Sequence, residues 1–463
     1  MRASVAAERA GLPAVSIIAT GFLTQGVVVA KGLGMPDLAV AEYPGVPMTD
    51  APQALAHKVS ATLISQIIDG LTKTAAPAAS DESVEPAARD TVFSGTLDEI
   101  NEHFHTRQWT DGMAIIPPTV ARIEKFLRYT DRDPDEVLGT CPPDNRLATV
   151  WSVAANGVMA GCKPEYMPIL LAAVECIVDP EFRLQDAGST PGWEPLIIVN
   201  GPIVKELDFN FGSGVMRAGR RANTSIGRFL KLFMQNLAGF RLLPGGGDKG
   251  SIGQTFNVVL AENEDACAEL GWSTFGVDRG FSENENVVTV QSVVHISPPT
   301  YSAGAKAMDH MRVIHEVIGQ NTMAYWSCIG LLFGKWHPLL LLGPSVAKVF
   351  AQDGWSKTQI RNYLHENVRL SAERLDAYAR HCGMTGLSIK GQVEQGLLPP
   401  EYAQSDDPGR LLRCNIKPEW IGIVVAGDPG RNQSKCYVSN HVQGPPTSRR
   451  VVLPTRWKSM RAG

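Results

Sequence analysis

Three stretches of this sequence end an unbroken apolar run on a glycine turn, and that recurrence constrains the fold more than any other feature. They are "LIIVNGPIVKEL" (196–207), "LLLLGPSVAKVF" (339–350) and "IGIVVAGDPGR" (421–431). A short run without apolar–polar alternation suits a strand covered on both faces, as in a parallel sheet flanked by helices. The first two also share G-P-x-V and continue into a helical segment carrying Lys205 or Lys348. "MAIIPPTVARIEKFL" (113–127) is a weaker fourth case, with Pro-Pro at the turn. Each run reads as a parallel strand whose carboxyl end opens into a tight loop, and ligands of open α/β sheets sit outside such ends. Glycine lets a backbone approach a ligand closely and proline fixes the loop. Asn200, Gly201, Gly343, Gly427, Gly430 and Arg431 are therefore the candidate substrate-binding residues. The plain alternative is that each Gly turn simply reverses the chain.

The N-terminal part alternates on a smaller scale. Ala14–Thr20 reads as a strand, Leu23–Lys31 as a helix and Asp37–Tyr43 as a second strand. From Ala51 a longer helix puts Leu55, Val59, Leu63, Ile67 and Leu71 on one face, with Asp50 as N-cap, Gln53 completing a capping box and Pro52 in the first turn. Strands alternating with helices indicate a doubly wound parallel sheet, but two strands make too little core on their own. A second copy or a partner chain is expected to complete that sheet. "KTAAPAASDESVEPAARD" (73–90) lacks an apolar period and reads as a linker. The expected organisation is α/β throughout: a partial doubly wound N-terminal domain (1–74), a linker (75–90), a larger α/β domain (91–445) and a flexible tail (446–463).

Composition narrows the class. With 463 residues, 44% hydrophobic and 19% charged, the chain can bury large cores and is not of the disordered type. A net charge of −4 with no Lys/Arg cluster argues against nucleic acid as a partner. Eight cysteines without a C-x-x-C pair suit reduced thiols in a cytoplasmic protein. The most apolar long window, "CIGLLFGKWHPLLLLGPSV", is broken by Lys335, His337 and Pro338, so no membrane span is expected. Glu8 and Arg9, just ahead of the first apolar run, argue against a signal peptide.

Four stretches carry residues suited to chemistry. In "NGVMAGCKPEYMP" (156–168), Cys162 follows one helix and precedes Pro164, which is placed to start the next. That helix N-terminus and Lys163 would lower the thiol pKa, provided the sulfur is partly exposed. Cys162 is thus a candidate nucleophile with Glu165 as a nearby acid or base; the alternative is an inert core cysteine. "RLLPGGGDKGSIGQTFNVVLAENED" (241–265) offers a Gly-rich loop, with Gly245 and Asp248, whose backbone N–H groups suit an anion, although no G-K-[ST] closes it. Glu262 follows its strand-like "FNVVL" as a candidate acid, base or metal ligand, or else as a solvated charge. "RAGRRANTSIGRFLKLF" (217–233) sets Arg217, Arg220, Arg221 and Arg228 around a helix start at Ile226, capped by Thr224 or Ser225; this suits a carboxylate or phosphate, or a solvated face. His103 and His105 form no metal motif, no H-E-x-x-H occurs, and nothing in the sequence names a cofactor. Ser356 and Gln359 make a capping box for a helix in which His365 reads as structural.

"SVAAERAGLPAVSIIATGF" (4–22) resembles the stretch that follows the signature in bacterial UGSC-motif proteins, some of which carry selenocysteine. "VMAGCKPEY", "VNGPI", "NTSIGR", "AENED", "RGF", "GWSK" and "VVAGDPGR" resemble, in the same order, the larger domain that accompanies it. The resemblance implies a U/C-Gly-Ser-Cys run upstream of Glu8–Pro13, yet this sequence starts after that place. Three readings stay open: an internal Met taken as the start, a UGA codon read as a stop, or a motif that has been lost.

The expectation is an enzyme of small-molecule metabolism with thiol-dependent chemistry, reductive or addition–elimination, on a polar, anionic substrate. Cys162 would be the nucleophile and Glu165 or Glu262 the acid/base, with an upstream Cys or Sec as redox centre where the motif exists. The alternative is a noncatalytic ligand-binding or complex-forming subunit.

Overall fold

A computed structural model of the chain describes residues 1–47, 50–72, 87, 89–187, 192–242, 252–253, 255–328, 335–383, 385–414 and 416–461. The alternation of the N-terminal part becomes helix Arg2–Arg9, strand β1 (Ser16–Ala19), helix Leu23–Gly32 and strand β2 (Val40–Tyr43). β1 and β2 pair in parallel, Ser16 opposite Val40 and Ala19 opposite Tyr43. One helix, wound as Pro52–Lys58, Val59–Leu63 and Ile64–Thr72, covers them with Leu63 buried against Ala41 and Tyr43. An apolar residue at every fourth position over-rotates an α-helix by about 40° per step. The middle segment is π-wound, and its wider turn absorbs part of that drift. Leu71, last in the row, stays exposed. Asp50 does not cap this helix. Ala51 holds the cap position, while the Asp50 carboxylate accepts from Tyr43 Oη at 2.5 Å and Lys58 Nζ at 2.6 Å, tying the helix to β2.

The larger region is built on strands β3 (Glu194–Asn200), β4 (Leu260–Ala261), β5 (Val287–Val293), β6 (Leu339–Leu342), β7 (Gly422–Val425), β8 (Gln433–Val438) and β9 (Thr447–Arg450). Their order is β9-β5-β3-β4 in one sheet and β7-β6-β8 in the other, where His295–Ile296 and Thr300–Tyr301 pair with β8. β3 runs parallel to β4 and β6 to β7, as the Gly-turn runs imply, whereas β5, β8 and β9 are antiparallel to their neighbours. The two sheets meet where the chain leaves β4: Glu262 N donates to Val199 O and Asn263 N to Val425 O. They also share both faces. Leu196, Ile198, Leu260, Leu339, Leu341 and Val424 join one cluster, and Ile197, Val199, Ala261, Leu340, Leu342 and Val425 join the main core. Burial on both faces is why these runs do not alternate. The helix Met167–Ile177, apolar nearly all round, packs on β5 and β9.

Two further expectations differ from the fold. The run at 113–118 forms no strand, because Pro117 and Pro118 lack N–H donors and the chain passes into the helix Val120–Leu127. The segment from 446, expected as a flexible tail, is ordered structure up to Arg461. β9 pairs with β5, Thr447 opposite Val290, and Trp457 is buried with its Nε1 donating to Glu206. Most of the expected linker lies outside the described residues. At its end Arg89 pairs with Asp135 at 2.6 Å and lies over the Trp151 ring. The N-terminal part docks through the helix Leu23–Gly32, where Asn145 Nδ2 donates to Gly32 O. A Cβ at Gly32 would stand 2.0 Å from Pro143 O, so that approach requires glycine. Among the described residues, no helix is long and apolar enough to cross a membrane.

Candidate functional site

The carboxyl ends of β3, β4, β7 and β6 lie along one edge, because each pair runs parallel and the Glu262–Asn263 bonds join the pairs. Glu262 is central to that edge and is not a solvated charge: 1% of it is exposed. Its Oε2 accepts from Phe275 N at 2.5 Å and Asn200 Nδ2 at 2.6 Å. Its Oε1 accepts from Val425 N at 3.2 Å and Cys267 Sγ at 3.6 Å, with Lys357 Nζ at 3.7 Å. Burial pushes the carboxyl pKa up, against the pull of the Lys357 ammonium and these hydrogen bonds.

Lys357, itself buried, stands between Glu262 and Asp278, 3.3 Å from the latter, and Arg361 bonds Asp278 from outside at 2.7 Å. Alternating charges thus run from the core toward the surface. Ser356 and Gln359 form the capping box read from the sequence, which fixes the helix Lys357–Asn367 that carries both bases. Lys357 and Asp278 escape sequence reasoning. One signal was available, since a lysine in the first turn of a helix opposes the dipole and needs a carboxylate nearby.

Asn200 Nδ2 also reaches Glu264 Oε1 at 3.0 Å, and the same oxygen takes Gly201 N at 2.8 Å. Among the described residues, Asn200 Oδ1, in a residue 1% exposed, has no partner. A buried acceptor left unmade costs about 1–3 kcal/mol.

The glycines divide. At Gly201 φ is +97° and a Cβ would lie 2.3 Å from Glu285 O; at Gly343 it would lie 2.9 Å from Gln433 O. The close approach at both is to the protein's own backbone, which gives these two glycines a structural reason beside the expected one. Gly427, with φ +114°, has nothing within 4 Å of its Cβ position and faces open space. Beyond it Gly430 N donates to Asp428 Oδ1, and the exposed Arg431 guanidinium makes no ion pair among the described residues. Gly245 and Asp248 lie outside the described residues.

Cys162 belongs to a different place. Its N–H donates to Gly157 O beyond the helix Val150–Met159, and it is 5% exposed. Pro164 starts only the three-residue 3-10 turn Pro164–Tyr166, and the α-helix begins at Met167. Lys163 pairs with Glu165 at 3.4 Å. Burial pushes the Cys162 thiol up to about 12 although Ser225, Arg221 and Arg228 favour the thiolate, so the expected lowered pKa is overturned. The other cysteines are buried too, except the half-buried Cys382. Nor do the arginines gather for an anion. Arg228 grips Asp111 at 2.8 and 2.9 Å, Arg220 pairs with Asp208, and Arg221 Nε donates to Gly161 O. Their helix starts at Arg221, not Ile226, and Ser225 Oγ bonds Arg221 O inside it.

Among the described residues no group of His, Cys, Asp and Glu could hold a metal ion. No curated protein matches the chain. Residues 1–73, which comprise β1, β2 and their helices, match the UGSC family, and the strand-end edge lies outside that matched region.

Proposed function

We propose that the chain is an enzyme of small-molecule metabolism, acting on a polar, anionic substrate at the shared carboxyl edge of β3, β4, β6 and β7. The observation that carries this reading is the wholly buried Glu262 beside Asn200 Oδ1, which has no partner among the described residues, on the edge where open sheets bind ligands. Asn200 Oδ1 would accept from a substrate hydroxyl or amine, Arg431 and the open Gly427 turn would hold its negative charge, and Glu262 would exchange the proton. A thermal-shift screen of small carboxylates and phosphate esters tests it. A ligand-dependent rise in Tm that is lost in Arg431→Ala, with the ligand-free Tm unchanged, is expected. No shift by any anion, or a shift that survives in Arg431→Ala, would overturn it.

The thiol-dependent part of the proposal rests on residues other than Cys162. The finer likeness, to UGSC proteins with a U/C-Gly-Ser-Cys run ahead of a stretch like Glu8–Pro13, supports a redox centre that would stand upstream of Met1. Translating the upstream genomic DNA with UGA allowed as selenocysteine tests that, and an in-frame extension without the run would remove it. The eight unpaired cysteines suit a reducing, cytoplasmic setting. Exposed Ile17 and Ile68 on the two-stranded unit suit a second copy or a partner chain there. A noncatalytic ligand-binding subunit is the second reading, favoured by the complete pairing of the Glu262 carboxylate.

A further inference from the structure

We propose that Ser302 and His310 form a nucleophilic centre, separate from Glu262, that hydrolyses esters of short acyl groups. Ser302 Oγ lies 2.7 Å from His310 Nδ1, and His310 Nε2 lies 3.1 Å from Gly304 O. A carbonyl oxygen only accepts, so Nε2 carries the ring proton. In the uncharged ring Nδ1 then offers its lone pair to the serine hydroxyl. A nucleophile, a base and a third group that orients the base stand in series, the arrangement that activates a hydroxyl. Among the described residues, no other serine, threonine or cysteine side chain bonds a histidine ring.

The fold brings the pair to a sheet edge where ligands bind. Thr300–Tyr301 and β6 are both antiparallel to β8, with Thr300 and Leu342 on either side of Ser434. The two strands are therefore parallel and end on the same edge, the kind that holds ligands in open sheets. Ser302 leaves that edge into the exposed loop 303–306, and His310 is the fourth residue of the helix Ala307–Ile314 that follows. Asp309 accepts from Lys306 N and Asp353 from Ala307 N, both at 3.0 Å, which fixes the helix start and with it the ring. Gly304 has φ +145° and a Cβ there would collide with Asp309, so the turn that presents its carbonyl to Nε2 requires glycine. His310 is wholly buried, while Ser302 keeps 8% of its surface open. Only a small electrophile reaches Oγ, which selects a short acyl group.

The N–H groups of Ala303 and Gly304 make no hydrogen bond among the described residues. The N–H that follows a nucleophile is a position from which an oxyanion is stabilised. In the reaction Ser302 Oγ bonds the ester carbonyl carbon, its proton passes to Nδ1, and the carbonyl electron pair moves onto oxygen. That pair returns as the bond to the leaving alcohol breaks, and the alcohol takes the proton from Nδ1. Water then attacks the acyl-serine with the same proton relay, releasing the carboxylic acid and restoring the hydroxyl. Nothing in this sequence uses Glu262, so the centre acts whether or not Glu262 exchanges a proton.

Treating the full chain with methanesulfonyl fluoride, mapping the adduct by mass spectrometry and following p-nitrophenyl acetate hydrolysis tests this. A methanesulfonyl group on Ser302 is expected, with loss of hydrolysis on labelling and in Ser302→Ala. His310→Gln, shown to be folded by circular dichroism, should label and hydrolyse about 100-fold more slowly or worse. Labelling that misses Ser302, hydrolysis that survives in Ser302→Ala, or equal rates in folded His310→Gln would overturn the proposal. Should His310→Gln not fold, the thiol of Ser302→Cys decides. Paired with the ring, it should take iodoacetamide ahead of Cys382, and a thiol slower than Cys382 would overturn the proposal.

Discussion

Glu262 is held in the core by two backbone N–H groups, an amide, a thiol and an ammonium, so its removal strands several partners at once. Glu262→Ala should lower stability by about 3–5 kcal/mol, as for breaking a buried pair. Glu262→Ala combined with Lys357→Met should recover part of that loss, and urea midpoints of the two variants measure the difference. Burial acts oppositely on His337, lowering its pKa to about 4, with Arg279 and Lys335 adding to the effect. A histidine lowered in the fold contributes stability that is whole above its unfolded value of 6.5 and lost as pH falls toward 4. The loss from this group is about 3 kcal/mol at most, and His337→Gln should flatten the dependence of the urea midpoint between those pH values. For Cys162, iodoacetamide labelling read by mass spectrometry should mark Cys382 first and reach Cys162 only when the protein unfolds. The sequence placed Cys162 correctly beside a helix end. It did not reveal that the sulfur would be buried beside Arg221 and Ser225 of the helix Arg221–Phe233.

At the scale of elements, the strands β3, β6 and β7 were legible because burial on both faces leaves an unbroken apolar run. β9 was not, since it is an edge strand whose "TSRR" buries only its first residue and reads as a polar tail. β4 was placed but out of step, as only Leu260 of "FNVVL" (256–260) pairs, together with Ala261 beyond it. The Gly turns were found, but their reasons differ, and that difference can be measured. Gly427→Ala meets open space and should lose only the backbone term, about 1–2 kcal/mol. Gly201→Ala adds a collision with Glu285 O to the same positive φ, so its Tm should fall well below that of Gly427→Ala.

At the scale of the whole molecule, the N-terminal part exposes Ile17, Val27, Ile64 and Ile68 around a sheet that has two strands among the described residues. Apolar surface of this kind promotes association. Sedimentation velocity should show concentration-dependent self-association or tight binding of an apolar dye, and Ile17→Lys with Ile68→Lys should reduce both without lowering Tm. A monomeric, dye-silent protein would remove the expected partner for this sheet. The alternation in residues 1–72 made this incomplete sheet readable from sequence, whereas the docking of Gly32 onto Pro143 was not, because a contact between distant segments leaves no local pattern.

The order of strands in the larger region has a kinetic consequence. Leu196 pairs with Gln291, Leu339 with Gly422 and Val290 with Thr447, so neighbours in the sheets are made far apart in the chain. Each pairing must first close a long loop, and the entropy of that closure is spent before any hydrogen bond forms. Helices such as Met167–Ile177 can form within about a microsecond, long before the sheet that covers them. A chain emerging from the ribosome would therefore carry apolar helices and unpaired strand edges until Thr447–Arg450 is made. During that interval its survival depends on how well those surfaces are kept apart from other chains.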